Sequence, residues 1–518
     1  MPDKALPNND IDDKMQALLS NANAARVVSQ TIEGTLGPKG LDIMMVDSLG
    51  DVVVSNDGVT ILQLMAVNHP AARMIINTAR AQQSEVGDGT TTATILAGAL
   101  VSEGAGQVMK GVPVTQVIQG IKLGIEHSLS ILEQQSRPVA AVDDPVLFHV
   151  AAVAGRGQGE IARLVIEGAR IIGPEKMREP DYKFADAVSA KEAADSQVFD
   201  GTLINRAPVS HEMPRSIAPA RILVIDDSLA PEEIDNEARS TEAGFQYYLQ
   251  NKQQYETNLK KICGLGVNVV LVDRSIDGLA EQIFTEAGII AIQRVSQREL
   301  ERVCKTSGAR KIKRIALNRP LEQLSDCLGH AEQFQVNEKL GYSCLIGGNR
   351  ATSATIIVGA ATAEVVDEKE RIARDAASAV QAALRKGVVP GGGAIEIGIA
   401  KQLEELARDL KGMTSYGVMC VKEAMLRPFA CIAANAGFNP LEKMGDVVAA
   451  QKLKGQDSIT IDCDQGGLID AFEHGIIDPA LVKIHAIKAA GEVAVAILRI
   501  NTIIKMRDGE SYTHDTLD

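Results

Sequence analysis

The run Val86-Gly87-Asp88-Gly89-Thr90-Thr91-Thr92 sets one carboxylate between two glycines and ahead of three hydroxyls. Glycines let a backbone turn tightly and approach a polyanion, and the threonines stand beside the N–H groups that a helix start leaves unpaired. Ile95, Leu96, Ala99 and Leu100 follow at spacings that bury one face of that helix. A carboxylate amid groups that invite phosphate would repel it, unless Asp88 holds a divalent cation that bridges to phosphate oxygens. The run is therefore a candidate phosphate-and-metal cradle. A Gly-Asp-Gly turn leading into a threonine-capped helix accounts for the same residues without any ligand.

Three further segments bear on that choice. Gly34-Thr35-Leu36-Gly37-Pro38-Lys39-Gly40 is a glycine-punctuated loop whose amides could meet a second face of the phosphates, or an ordinary helix stop with glycine at the cap and proline after it. Ser55-Asn56-Asp57-Gly58-Val59-Thr60 follows an expected hairpin, with strands at 42–46 and 51–54 around a turn at 47–50. Asn-Asp-Gly is itself a turn signal. Val388-Val389-Pro390-Gly391-Gly392-Gly393-Ala394 lies between two helical patterns, where bare backbone could lie flat against a base or ribose, or act as a hinge.

Together with Ile476-Ile477-Asp478-Pro479, these segments closely resemble the chaperonin family, over nearly the whole chain. Met45-Val46-Asp47-Ser48-Leu49-Gly50-Asp51 and His69-Pro70-Ala71-Ala72 are similar to the thermosome and eukaryotic cytosolic branch, whose subunits carry a built-in lid. The resemblance implies ATP hydrolysis with Mg²⁺, and K⁺ as a candidate further cation. It assigns Asp88 to the metal, and Gly87, Gly89, Thr90, Thr91 and Thr92 to phosphate. Thr35, Leu36, Gly37, Pro38 and Lys39 match the loop against the α- and β-phosphates, Gly391 and Gly392 the nucleoside contact, and Asp478 the acceptor of ribose hydroxyls. Asp57, with Gly58 beside it, and Asp375 match two carboxylates facing the attacking water. Such water must be oriented and partly deprotonated while metal and amides absorb charge on the transferring phosphoryl group. The implied assembly is a double-ring homo-oligomer of eight subunits per ring that encloses unfolded polypeptide clients. The alternative is a chaperonin-derived scaffold that holds clients without cycling, and retention of Asp57, Asp88 and Asp375 together speaks against it.

The elements that must position these residues follow from periodicity. Along 368–386, Ile372, Ala376, Ala379, Val380 and Ala383 recur at helical spacing and put Asp375 on the flank of the buried face, where it could instead pair with Arg371 one turn earlier. Short β-branched runs at 221–226, 267–273 and 289–295, separated by helical patterns, predict an α/β layer. The expected fold class is multidomain α and α/β. A mostly helical nucleotide-binding (equatorial) domain takes 1–140 and 392–518, a small intermediate domain 141–206 and 351–391, and an α/β apical domain 207–350. Within the last, 229–262 is a polar helical stretch carrying Phe245, Tyr247, Tyr248 and Tyr255 in a chain with only 3% aromatic residues. It matches the helical protrusion that serves as the lid, and the cluster reads as a client or lid contact, or else as a local helix–helix core.

Composition excludes other classes. At 518 residues the chain can bury several cores, and its net charge of -14 argues against nucleic acid or an anionic membrane as partner. The basic stretch Arg302, Lys305, Arg310, Lys311, Lys313 and Arg314 reads as a solvated face. No apolar run is long enough to span a bilayer, and seven cysteines without a Cys-x-x-Cys pair fit reduced thiols in the cytoplasm. Gly-x-x-x-x-Gly-Lys-Ser/Thr is missing, which argues against a P-loop ATPase. Two departures from the family stand out. Ala154-Gly155-Arg156-Gly157-Gln158-Gly159 carries Arg156 where a nucleotide-sensing lysine is usual, so a forked cation would face the γ-phosphate. The tail lacks Gly-Gly-Met repeats and has Asn501 where aspartate is usual, as in a divergent, bacterial thermosome-like subgroup.

Overall fold

The computed structural model describes residues 9–232, 241–348 and 352–502. The chain opens with α1 (Asn9–Glu33), the strands β1 (Ile43–Val46) and β2 (Val52–Ser55), and the helices α2 (Gly58–Leu64), α3 (Pro70–Glu85), α4 (Thr90–Met109), α5 (Val114–Gln135) and α6 (Pro145–Ala154). A middle stretch follows: α7 (Gly159–Ile172), β3 (Val188–Glu192), β4 (Gln197–Ile204), β5 (Ser216–Ile217), β6 (Ala220–Ile225), α8 (Glu242–Gly264), β7 (Val269–Val272), α9 (Gly278–Glu286), β8 (Ile290–Ile292), α10 (Gln297–Ser307), β9 (Gly329–Asn337), β10 (Tyr342–Gly348) and β11 (Ala354–Ala360). The chain ends through α11 (Val366–Lys386), β12 (Val388–Pro390), α12 (Ala394–Asp409), α13 (Thr414–Asn435), α14 (Pro440–Lys454), β13 (Ile459–Ile461), β14 (Leu468–Asp470), β15 (Ile477–Pro479) and α15 (Ala480–Leu498). It divides into two compact units, one of residues 1–159 with 375–518 and one of 160–374. Both divisions fall inside the pieces expected to connect the outer domains, and the second cuts α11 just before Asp375.

The first unit is built around α4. From Thr90 to Val101 the sequence offers no charge, so the helix can be buried on all sides. Ile95, Leu96, Ala97, Leu100 and Val101 are all sealed from solvent, and α1, α3, α13 and α15 pack against them. Helices α5 and α13 cross with their backbones touching at Gly120 and Gly417. A Cβ on Gly120 would lie 2.0 Å from the Thr414 carbonyl oxygen, and one on Gly417 would lie 2.2 Å from that of Val117. The expected hairpin is present, with Met44 opposite Val54.

The second unit holds a nine-stranded sheet in the order β3-β11-β4-β10-β9-β6-β7-β8, with β5 added beside β9. β6, β7 and β8 run parallel and cover the three runs read from the sequence. β7 and β8 are buried throughout, as parallel strands with covered faces must be. Helix α8 has two characters. Phe245 and Tyr247 near its start are about half exposed, and Phe245 stacks on Tyr248 with ring centroids 6.4 Å apart. Tyr255, Leu259 and Ile262 near its end are buried among Leu223, Ile225, Val270 and Phe284. Tyr255 is therefore not a contact-surface residue as the sequence suggested. Its ring fills the core and its hydroxyl donates to the Leu229 carbonyl at 2.9 Å, because an apolar ring with one polar tip suits the edge of a core. The expected helical stretch at 229–262 is also shorter at its start. Leu229 forms a bridge to Ile276, and 233–240 lie outside the described residues.

The Gly120–Gly417 crossing leaves no room for a methyl group on either helix. Gly417→Ala should cost about 1–3 kcal/mol through forced separation of α5 and α13, read as a lower urea midpoint of the helical unit.

Candidate functional site

Helix α4 starts at Gly89, which adopts a left-handed conformation and makes no side-chain cap bond. The threonines therefore do not cap the helix, and the N–H groups of its first turn lack the side-chain acceptor that most helix starts supply. Asp88 stands directly before this end and accepts the Gly89 N–H on Oδ1 at 2.6 Å. The Asn56-Asp57-Gly58 turn is pressed against the same place: a Cβ on Gly58 would lie 2.6 Å from Thr91 Oγ1 and 3.2 Å from Thr90 Oγ1. Asp57 caps α2, its Oδ2 accepting the Thr60 N–H at 2.9 Å and the Thr60 hydroxyl at 2.6 Å. Beside it, Asn56 Oδ1 is buried with no hydrogen-bond partner. On the other side, a Cβ on Gly87 would lie 2.2 Å from Ser378 Oγ of α11. Asp375 is three residues earlier on that helix, half-buried on its flank. Arg371 pairs with Glu368.

A second glycine-capped start lies at Gly393, the left-handed N-cap of α12. β12 and β15 pair antiparallel with Val389 opposite Asp478, so the glycine triplet begins beside Asp478. A Cβ on Gly391 would lie 3.1 Å from each Asp478 oxygen. Thr460 donates its hydroxyl to the Gly392 carbonyl at 2.8 Å and fixes the turn from outside. Asp478 is tied to the first end through charge. Burial, followed by the Asp478 and Asp57 carboxylates, pushes the Asp88 carboxyl up to about 6, against the pull of the Gly89 N–H and the Lys483 cation. The Asp57 and Asp478 carboxylates thus both bear on Asp88.

The remaining expected residues are placed less directly. The 35–40 loop hangs from the end of α1. Asn435 of α13 donates to the Leu36 and Glu33 carbonyls at 2.8 Å, Gly37 packs on Ile432, and Lys39 pairs with Asp464 at 2.5 Å. Arg156 is exposed with φ +53°, a strained value for a residue with a Cβ. Gly155 before it sits against Ala376, the neighbour of Asp375 on α11. The basic stretch is not merely a solvated face. Arg302 and Arg314 donate to the Asp186 and Ala230 carbonyls at 3.0 and 2.9 Å. Arg302 also lines a polar cavity of about 320 Å³ in the second unit, where Arg298 pairs with Asp186 and Arg374 with Glu370.

Sequence reading missed four residues of the site. Gln82 is fully buried, donates to the Asp88 and Val482 carbonyls at 2.8 and 3.2 Å, and meets His485 Nδ1 at 2.6 Å. Its signal was a polar residue in register with Ile75 and Ala79 on an apolar face. Lys483 and Glu396 form a buried pair at 2.5 Å, with Lys483 also 2.9 Å from Asp478. A lysine in the first turn of α15 opposes the helix dipole, and that was the available sign.

The sequence signature of the TCP-1/cpn60 chaperonin family matches residues 28–508. The crystal structure of a group III chaperonin in the open state superposes with a TM-score of 0.89 at 46% identity, covering 95% of this chain and all of that one. The fold is that of a chaperonin subunit. A thermosome subunit of Pyrococcus abyssi is 34% identical over 95% of this chain and 92% of its own length. Thermosome subunit beta of Archaeoglobus fulgidus is 34% identical over 93% and 91%. The chain belongs to the TCP-1/cpn60 chaperonin family, with higher identity to the group III structure than to these thermosome subunits.

Gln82→Leu keeps the bulk but removes the donor that holds the Asp88 and Val482 carbonyls. Leaving those acceptors unpaired should cost about 1–3 kcal/mol in chemical denaturation of the ligand-free protein.

Proposed function

We propose that this chaperonin subunit hydrolyses ATP at the α4 start and uses the cycle to enclose unfolded polypeptide within stacked rings of its own copies. The observation that carries the reading is the uncapped start of α4 with Asp88 before it and the Asp57 and Ser378 segments packed on either side. In this reading the amides and hydroxyls of Thr90, Thr91 and Thr92 hold terminal phosphate oxygens, and the 35–40 loop meets the inner phosphates. Gly391 and Gly392 lie against the nucleoside, and Asp478 accepts ribose hydroxyls. Asp57 and Asp375 orient the attacking water and take its proton, while Arg156 faces the γ-phosphate.

The donor set fits Mg²⁺. Among the described residues no three His, Cys, Asp or Glu side chains converge to cage an ion, so a cation at Asp88 would complete its shell with phosphate oxygens and water. There it would neutralise charge on the phosphates. K⁺ has no donor set of its own among the residues named. The three-domain division and the use of α8 as part of a lid belong to the same reading, with Phe245, Tyr247 and Tyr248 as its contacts. So does a cytoplasmic setting: no described helix is long and apolar enough to cross a membrane, and all seven cysteines are free thiols. A client-holding scaffold without cycling has no use for two water-facing carboxylates beside a metal ligand.

Two substitutions separate the roles. Asp375→Ala should bind Mg-ATP nearly normally yet release phosphate at least about a hundred-fold more slowly, whereas Asp88→Ala should lose Mg-nucleotide affinity itself in calorimetry. Normal turnover in the first variant would remove Asp375 from the reaction, and a wild-type protein that releases no phosphate would leave the scaffold.

The raised Asp88 carboxyl gives a pH signature. Protons compete with the metal for this group, so Mg-nucleotide affinity should be flat above about pH 7 and fall as pH drops through about 6. Well below that value the loss approaches about tenfold per pH unit, and Asp88→Asn should remove the slope. Titration calorimetry in matched buffers reads both.

A further inference from the structure

Lys483 is one of the most buried cations among the described residues, and no motif accounts for it. Its side chain is 11% exposed and its ammonium lies between two carboxylates, 2.5 Å from Glu396 Oε1 and 2.9 Å from Asp478 Oδ2. Glu396 is 1% exposed, and its second oxygen is buried without a hydrogen-bond partner. Burial works against the Lys483 charge, and the two carboxylates overcome it, so the group stays protonated. Such a buried arrangement is poor value for stability alone, because apolar side chains of the same bulk often serve equally well. Its geometry has a directional consequence. Glu396 sits in the first turn of α12 and Lys483 in the first turn of α15, so the ammonium is anchored from both helices. One Asp478 oxygen is thereby taken up, while the carboxylate lies against the opening at Gly391. The same cation offsets the mutual repulsion of Asp478 and Asp88.

We propose that Lys483, anchored by Glu396, is a positioning residue for the nucleoside: it fixes the Asp478 carboxylate so that Oδ1 alone is presented to a ribose hydroxyl. The inference rests on the reading that Asp478 faces ribose, and the two are separable. The effect specific to this role is on recognition of the sugar, whereas the pull of Lys483 on Asp88 acts on both nucleotides alike. Lys483 does not touch nucleotide.

The test measures Kd for Mg-ADP and for Mg-2′,3′-dideoxy-ADP by calorimetry, together with the urea midpoint of each ligand-free variant. In the wild type, ADP should bind about tenfold or more tighter than the dideoxy nucleotide, as befits a hydrogen bond to a charged acceptor. Asp478→Asn should shrink that ratio; if it does not, the ribose reading fails. Lys483→Met should shrink the ratio in the same way, since any loss of metal affinity through Asp88 weakens both nucleotides equally and cancels in the ratio. If Asp478→Asn shrinks the ratio and Lys483→Met preserves it, the positioning role is overturned. Lys483→Met leaves Glu396 unpaired and could unfold, so the neutral double variant E396Q/K483M is measured beside it. The double variant should recover the urea midpoint toward wild type without recovering the ratio. Return of the ratio together with stability would make Lys483 purely structural and overturn the proposal.

Discussion

Burial of the N-terminal half of α4 is the constraint on which the rest depends. Thr90 and residues 93–98 are sealed from solvent while Met109 at the far end is exposed, so the N-terminal half of the helix is held by the core that surrounds it. Three otherwise separate pieces of chain are then built against that end: the α3–α4 turn carrying Asp88, the turn before α2 carrying Asp57, and α11 through Ser378. Each contact is close enough that one added methyl group would displace it. A rigid start also explains why the helix can do without a cap. The unpaired amides of a mobile end would be satisfied by water, whereas a fixed end presents them in one geometry to an anion.

Electrostatics set the opposite tendency. Burial and the nearby Asp478 and Asp57 carboxylates raise the cost of ionising Asp88, and the Gly89 amide and Lys483 relieve it. An opening that gathers more negative than positive charge is stable only if the packing around it over-determines the side-chain positions. Gln82 contributes to that through three hydrogen bonds that tie α3, the Asp88 backbone and α15 together.

Local pattern made much of this legible. The hairpin, the three parallel strands and the helix bearing Asp375 all appear where periodicity and turn residues placed them. The glycine runs could be read as loops, but that Gly89 and Gly393 would be left-handed helix starts without side-chain caps was not legible in them. What stayed hidden depends on partners far apart in the chain. Glu396 and Lys483 are 87 residues apart, and Gln82 and His485 are 403 apart, so neither pairing leaves a local mark. Tyr255 was misjudged for a related reason. The four aromatics share one helix, but only the strands and loops packed below it decide which end is core.

The division of α8 into a sealed foot and an exposed tip carries an evolutionary consequence. Positions 245, 247 and 249 can exchange side chains with little effect on folding, since few neighbours depend on them, whereas Tyr255, Leu259 and Ile262 are held by the sheet. Single substitutions can therefore change the surface of the tip while the buried foot is left unaltered. Divergence among relatives should concentrate in the first three turns of this helix and stop abruptly at Tyr255.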